Sequence, residues 1–211
     1  MTETNAKNDK IRVGINGFGR IGRLAFRLAF ESDDSRLEFV HVNEGVGSGE
    51  SSAYLANWDS VHGPWRGFNV EFDEKTETMT VVKEKDGSKT TTVMTYSQKM
   101  SPGEVDWKSK GIDMVLECSG EFLTREKLQA YFDQGVKKVV VSAPVKDAKN
   151  PVLNIVYGVN HSEYDKNVDH IVTAASCTTN CLAPVIQVIL KKIGIVRGSI
   201  TTIHNLSLIH I

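Results

Sequence analysis

Ile11-Arg-Val-Gly-Ile-Asn-Gly-Phe-Gly-Arg-Ile-Gly-Arg23 joins a short apolar run to a helical one through closely spaced glycines. Ile11 to Ile15 has the length and composition of a buried strand. From about Arg20 to Phe30 the apolar residues Ile21, Leu24, Ala25, Leu28 and Ala29 recur at helical spacing. Leu37 to Val42 returns to strand character. The order β-α-β implies a parallel pair with a right-handed crossover. Gly17-Phe18-Gly19-Arg20-Ile21-Gly22 between strand and helix is G-x-G-x-x-G. Gly17 permits the tight turn, Gly19 leaves room for a pyrophosphate, and Gly22 lets helix and strand approach. The N–H groups of the first helical turn then face the anion. In this context the motif predicts dinucleotide binding.

The second strand ends Val42-Asn43-Glu44. A carboxylate there accepts from both ribose hydroxyls and repels a 2′-phosphate, so Glu44 predicts NAD rather than NADP.

Further along, Asn69–Asp73, Thr78–Glu84 and Thr90–Tyr96 read as short strands parted by turn-like DEKTE and KDGS. They form an antiparallel insertion in the α/β pattern. Asp113–Glu117 and Lys138–Ser142 are apolar strands on either side of an amphipathic helix, Thr124–Gln134. Asn154–Tyr157 and Ile171–Thr173 are weaker strands. An apolar helix then runs to about Ile193, and Ser199–His204 reads as a last strand. The expected fold class is α/β: a Rossmann-like doubly wound sheet with an antiparallel insertion, followed by the start of a second, α+β catalytic unit. The boundaries read as a flexible tail over 1–9, an NAD-binding domain over 10–175 and the catalytic start over 176–205.

The bulk composition narrows the function classes. The chain has 211 residues, 25 Lys+Arg against 26 Asp+Glu, a net charge of −1 and 40% hydrophobic residues. A near-neutral surface has no broad basic field, so no nucleic-acid or anionic-membrane partner is expected. No apolar run approaches the roughly 18 residues of a membrane span. Residues 1–10 are polar and lack the apolar segment of a secretory signal. Cys118, Cys177 and Cys181 are too few for a disulfide scaffold, and the odd count fits a reducing cytoplasm.

Cys177 stands between Ala-Ala-Ser and Thr-Thr-Asn where a helix begins. A helix N-terminus stabilises negative charge, which suits a thiolate nucleophile. Cys181, one turn deeper beside Leu182, reads as an inert core cysteine. The pair is an incomplete metal set, and no metal is expected. Of six histidines, His204 ends the segment after the Cys177 helix and is a candidate base. His41, inside an apolar strand, reads as a packed, hydrogen-bonded core residue.

Three segments together resemble glyceraldehyde-3-phosphate dehydrogenase: Ile11–Arg23, Ala175-Ser-Cys-Thr-Thr-Asn-Cys-Leu-Ala-Pro184 and Thr201-Thr-Ile-His204. Asp59-Ser-Val-His-Gly63, Lys137–Pro144 and Gly158-Val-Asn-His161 add to the resemblance, which runs from about residue 10 to 204. It implies that Cys177 attacks the aldehyde and that His204 takes the proton. Hydride then passes to NAD, and phosphate opens the thioester to an acyl phosphate. It implies that Ser176 and Thr178 line the substrate pocket. Asn16, Gly17, Phe18, Gly19, Arg20, Ile21, Gly22, Glu44, Lys99, Ser119, Gly120 and Ser142 are implied along the cofactor path. The implied partners are a phosphorylated aldehyde, inorganic phosphate and, for the assembled enzyme, a homotetramer. The usual ribose acid of the family is Asp. Glutamate resembles erythrose-4-phosphate dehydrogenase and an arsenic-resistance paralogue that uses arsenate, so both stand as alternatives, with a non-catalytic NAD-binding module as a third. Leu206-Ser-Leu-Ile-His-Ile211 leaves the family-like run and reads as one frame of a sequencing-library adapter. On this reading the chain is an incomplete and inactive part of the enzyme.

Overall fold

The structure, a computed structural model, describes residues 10–32 and 36–203. The expected tail over 1–9, His204 and the segment 205–211 lie outside the described residues. The chain order is β1 (Ile11–Asn16), α1 (Arg20–Glu31), β2 (Leu37–Asn43), α2 (Gly49–Asn57), β3 (Trp58–Asp59) and β4 (Gly63–Pro64). Next come β5 (Phe68–Asp73), β6 (Thr78–Lys85), β7 (Ser88–Ser97), β8 (Met114–Glu117) and α3 (Arg125–Asp133). The described elements end with β9 (Lys138–Val141), β10 (Leu153–Asn154), β11 (Ile171–Thr173) and α4 (Cys177–Lys192).

One nine-stranded sheet carries the order β10-β11-β9-β8-β1-β2-β7-β6-β5. From β10 to β7 each neighbouring pair is parallel, and β7-β6-β5 is antiparallel. The expected insertion is therefore continuous with the doubly wound sheet. β7 joins it by pairing with β2, His41 opposite Thr95 and Asn43 opposite Ser97.

Side chains alternate across the strands and build a core on each face. Val13, Ile15, Phe26, Phe39 and Val42 fill one. Trp107, Val115, Leu128, Tyr131 and Val139 fill the other. Trp107 is fully buried, and its indole N–H is satisfied by the Pro102 carbonyl at 2.8 Å.

The structure corrects several expectations. The apolar residues at helical spacing along α1 are divided: Ile21 and Leu28 are exposed and Ala29 packs against the core, while the buried positions are Gly22, Phe26 and Arg27. Gly22 is locked against the Gly17 carbonyl, and that contact fixes the rotation of the helix. Phe26 and Phe30 follow at intervals of about one turn and stack into the core. α2 was not anticipated. Its buried face is small (Gly49, Ser52, Ala53, Ala56), so it gives little hydrophobic signal, and its start is fixed by a Ser48/Ser51 capping box. The strand expected at Asn154–Tyr157 is Leu153–Asn154. No strand forms over Ser199–Ile203, because no described strand lies alongside to take its hydrogen bonds. On α4, Val185, Val188 and Leu190 are more than half exposed. No layer among the described residues covers them.

Candidate functional site

In an open α/β sheet, ligands bind beyond the carboxyl ends of the strands, at the point where strand order reverses. Here the chain leaves β1 for β2 on one side and returns to β8 on the other. Every described candidate residue sits at that carboxyl edge. Gly17 follows β1, Glu44 follows β2, Lys99 follows β7, Ser119 follows β8, Ser142 follows β9 and Cys177 follows β11. A cleft of about 460 Å³ opens at the reversal. Its lining includes Asn16, Gly17, Gly19, Glu44, Lys99 and Ser119.

The glycines meet three different demands. Gly17 has φ +87°, and a Cβ there would stand 2.4 Å from the Ser119 nitrogen. A Cβ on Gly22 would stand 2.1 Å from the Gly17 carbonyl oxygen. Gly19 has nothing within 4 Å of a built Cβ, so the space beside it is open. That is the cradle a pyrophosphate needs, above the first-turn N–H groups of α1, which lack intrahelical partners. Arg20 is exposed and lies 3.4 Å from Asp59, and Ile21 projects outward. The Phe18 side chain is buried edge-on against Phe26.

Glu44 is held by backbone. The Phe18 N–H donates to one oxygen at 2.5 Å and the Val46 N–H to the other at 3.0 Å. Each oxygen keeps a further lone pair able to accept a hydrogen bond. The carboxylate is thus fixed before any ligand arrives.

Beneath the cleft runs a buried polar chain that joins residues far apart in sequence. The Tyr131 hydroxyl and Asn16 Nδ2 donate to one oxygen of Glu117, Asn16 at 2.7 Å. The Ser119 N–H and hydroxyl donate to the other at 2.7 and 2.5 Å. Burial pushes the Glu117 carboxyl above its usual range, opposed by these donors. Asn43 Nδ2 donates to Asn16 Oδ1 at 2.8 Å, and the Ser97 hydroxyl donates to Asn43 Oδ1 at 2.7 Å. Ser97 has then given its only proton, so His41 Nε2, 2.9 Å away, must be the donor to it. His41 Nδ1 faces the Thr95 hydroxyl at 2.7 Å. His41 is fully buried, and burial lowers its pKa to about 3. The expected packed core histidine is what the structure contains. Asn16 lines the cleft, but its side-chain amide serves this chain.

The cysteines differ in surroundings. Cys118 lines the cleft, with its thiol pushed up to about 12 by burial and then by the Glu117 charge, and it is hydrogen-bonded to Ser142. It therefore stays a thiol at neutral pH. Cys177 is the first residue of α4 and is exposed; Ser176 is its N-cap, accepting from the Thr179 N–H at 3.1 Å. Cys181 is exposed, which corrects the expected core position. The face of α4 that carries it has no second layer among the described residues. Neither Thr178 nor Cys177 belongs to the cleft lining, and no group of three or more metal-ligating side chains occurs among the described residues. No helix among them is long and apolar enough to cross a membrane.

Residues 11–125 match the family model described as glyceraldehyde 3-phosphate dehydrogenase, NAD binding domain. The chain belongs to the glyceraldehyde-3-phosphate dehydrogenase family. Residues 176–208 match the model of the C-terminal domain of glyceraldehyde 3-phosphate dehydrogenase, beginning at the N-cap of α4. Glyceraldehyde-3-phosphate dehydrogenase 3 of Nostoc is 49% identical over 93% of this chain and 53% of its own length. A cytosolic glyceraldehyde-3-phosphate dehydrogenase of Ranunculus acris is 44% identical over 94% and 54%. The glyceraldehyde-3-phosphate dehydrogenase of Zymomonas mobilis is 44% identical over 92% and 53%. The chain spans about half the length of the curated relatives it matches. Its cofactor within this family is NAD.

Proposed function

We propose that this chain supplies the cofactor cleft and the nucleophile of a phosphorylating aldehyde dehydrogenase acting on glyceraldehyde 3-phosphate. The observation that carries the reading is Cys177. It is exposed, opens α4, and stands at the same sheet edge as the NAD cleft. Gly17, Gly19, Gly22 and the α1 N-terminus hold the pyrophosphate, and Glu44 takes the ribose. Lys99, Ser119, Gly120 and Ser142 border the rest of the path. NAD, when bound, supplies the hydride acceptor.

Cys177 Sγ adds to the aldehyde carbon, forming a C–S bond as the carbonyl π pair moves to oxygen. His204 manages the proton on that oxygen. Ser176 and Thr178 flank the nucleophile and contact the substrate. Oxidation leaves the acyl group on Cys177 as a thioester. Inorganic phosphate then displaces the sulfur, giving the acyl phosphate and the free thiolate. Residues 10–175 form the cofactor unit and 176–205 open the catalytic one.

Alkylation of the chain by iodoacetamide tests this, with Cys177→Ser as control for the other exposed thiol, Cys181. Cys177 is expected to react faster than Cys181 and to change rate on addition of NAD. Equal rates at both cysteines, unmoved by NAD, would leave only a binding module. The fixed Glu44 carboxylate adds a second expectation: NAD binds at least about tenfold more tightly than NADP, because a 2′-phosphate meets like charge. Equal affinities by calorimetry would remove Glu44 from the ribose site.

A further inference from the structure

We infer that Asn43, Asn16 and Glu117 form a buried strut that sets the gap between the two rims of the cofactor cleft. They are thus positioning residues for NAD. The inference rests on the reading of the cleft as the NAD site.

Lys99 and Ser119 stand on opposite rims, after β7 and β8, with β2 and β1 between them. Asn43 clamps the backbone of Lys99: its Oδ1 accepts from the Lys99 N–H and its Nδ2 donates to the Lys99 carbonyl, each at 2.9 Å. Nδ2 also donates to Asn16 Oδ1 at 2.8 Å, and Asn16 Nδ2 to Glu117 at 2.7 Å. The second oxygen of Glu117 takes both the N–H and the hydroxyl of Ser119. Asn43, Asn16 and Glu117 are 1%, 3% and 0% exposed.

The bonds run in one sense. The Lys99 N–H can only donate, so it fixes the Asn43 amide. Asn43 fixes Asn16, and Asn16 then requires an acceptor at position 117. Ser119 requires another from the opposite side. Only a carboxylate presents an oxygen to both. Glutamine has the same shape but must turn an NH2 towards either Asn16 Nδ2 or the Ser119 N–H. Well-packed apolar residues could hold these strands together without such a chain. What a polar chain adds is a fixed register between two loops before the ligand arrives, which lowers the ordering cost of binding.

Tyr131 separates this role from plain stability, because its hydroxyl bonds the same carboxylate without touching either rim. NAD titration calorimetry on the wild-type chain, Glu117→Gln and Tyr131→Phe is run at a temperature where far-UV circular dichroism is native for all three. Glu117→Gln is expected to weaken NAD roughly tenfold, the scale of one lost charged hydrogen bond. Tyr131→Phe is expected to unfold at a lower temperature yet bind within about twofold of wild type, because its change leaves Ser119 held. Wild-type affinity in Glu117→Gln, or an equal loss in Tyr131→Phe, overturns the strut. Amide exchange in the wild-type chain without NAD decides the case if Glu117→Gln does not fold. The Lys99 and Ser119 N–H groups should exchange at least about a hundredfold more slowly than those of Met100 and Gly120. Equal rates overturn the strut, whereas a wild-type chain that ignores NAD but protects both amides overturns only the reading of the cleft.

Discussion

Gly22→Ala is expected to destabilise the chain by about 3 kcal/mol and to abolish NAD binding, the upper end of what an added methyl does in a packed site. The new Cβ would stand 2.1 Å from the Gly17 carbonyl oxygen, and both partners are backbone. No side chain can rotate to relieve the overlap. Either α1 tilts away from β1, which uncovers Phe26 and Phe30, or the turn at Gly17 opens and drags the Ser119 rim with it. Gly19→Ala is the matched control. Its Cβ meets nothing within 4 Å, and φ at Gly19 is −68°, a value any residue adopts. It should cost under about 1 kcal/mol as an N-cap change. It should nevertheless weaken NAD, because the methyl fills the space the pyrophosphate would take. Urea denaturation with calorimetric NAD titration reads both. A Gly22→Ala chain with the wild-type midpoint would show that the contact between helix and turn is slack.

Acid should loosen the chain through His41. The ring is neutral when folded, with a pKa of about 3 against an ordinary 6.5, and burial is the leading cause. Below pH 6.5 the unfolded chain takes up a proton that the native ring refuses. Stability is therefore lost as pH falls from 6.5 towards 3, by about 2 kcal/mol at pH 5 from this residue alone. Protonation would also put a donor on Nδ1 and disturb the Thr95 and Ser97 hydroxyls that hold the ring. His41→Gln keeps polar contact with those hydroxyls but has no proton to refuse. The variant should be less stable at pH 7.5 yet lose about 2 kcal/mol less than wild type on transfer to pH 5. Parallel losses in the two chains would mean that the ring titrates freely when folded. Glu117 pulls the other way. Its raised pKa means that its contribution falls as pH rises above the ordinary carboxyl range. The comparison of variants cancels that contribution.

Local signals made the cofactor half legible. The glycine loop, its flanking strand and the acid ending β2 lie within one short stretch, and each has a physical requirement that can be stated residue by residue. The meander was visible from alternation and turns. What escaped depended on contacts the sequence does not advertise. The buried face of α1 was set by the contact between Gly22 and Gly17 rather than by the count of apolar residues. α2 hid because small side chains make its contact with β5, where the Phe72 ring lies against Gly49. Ser199 to Ile203 has strand composition, but composition supplies no partner strand. The strut was invisible because Asn16 and Glu117 are 101 residues apart, and the motif that contains Asn16 points to the cofactor rather than to a buried carboxylate. The core position read for Cys181 assumed a second layer over α4.

The sheet order also has a consequence for the time course of synthesis. β1 is the first of the described strands, yet it pairs on one side with β8, whose residues follow 101 positions later. At roughly 5–20 residues per second, that edge of β1 waits about 5–20 s on the ribosome for its neighbour. Until then β1, α1 and β2 can assemble, but the Ser119 rim does not yet exist and Asn16 has no carboxylate to meet. A nascent chain halted before residue 114 should therefore present an open central strand to chaperones. Release past residue 117 should close it.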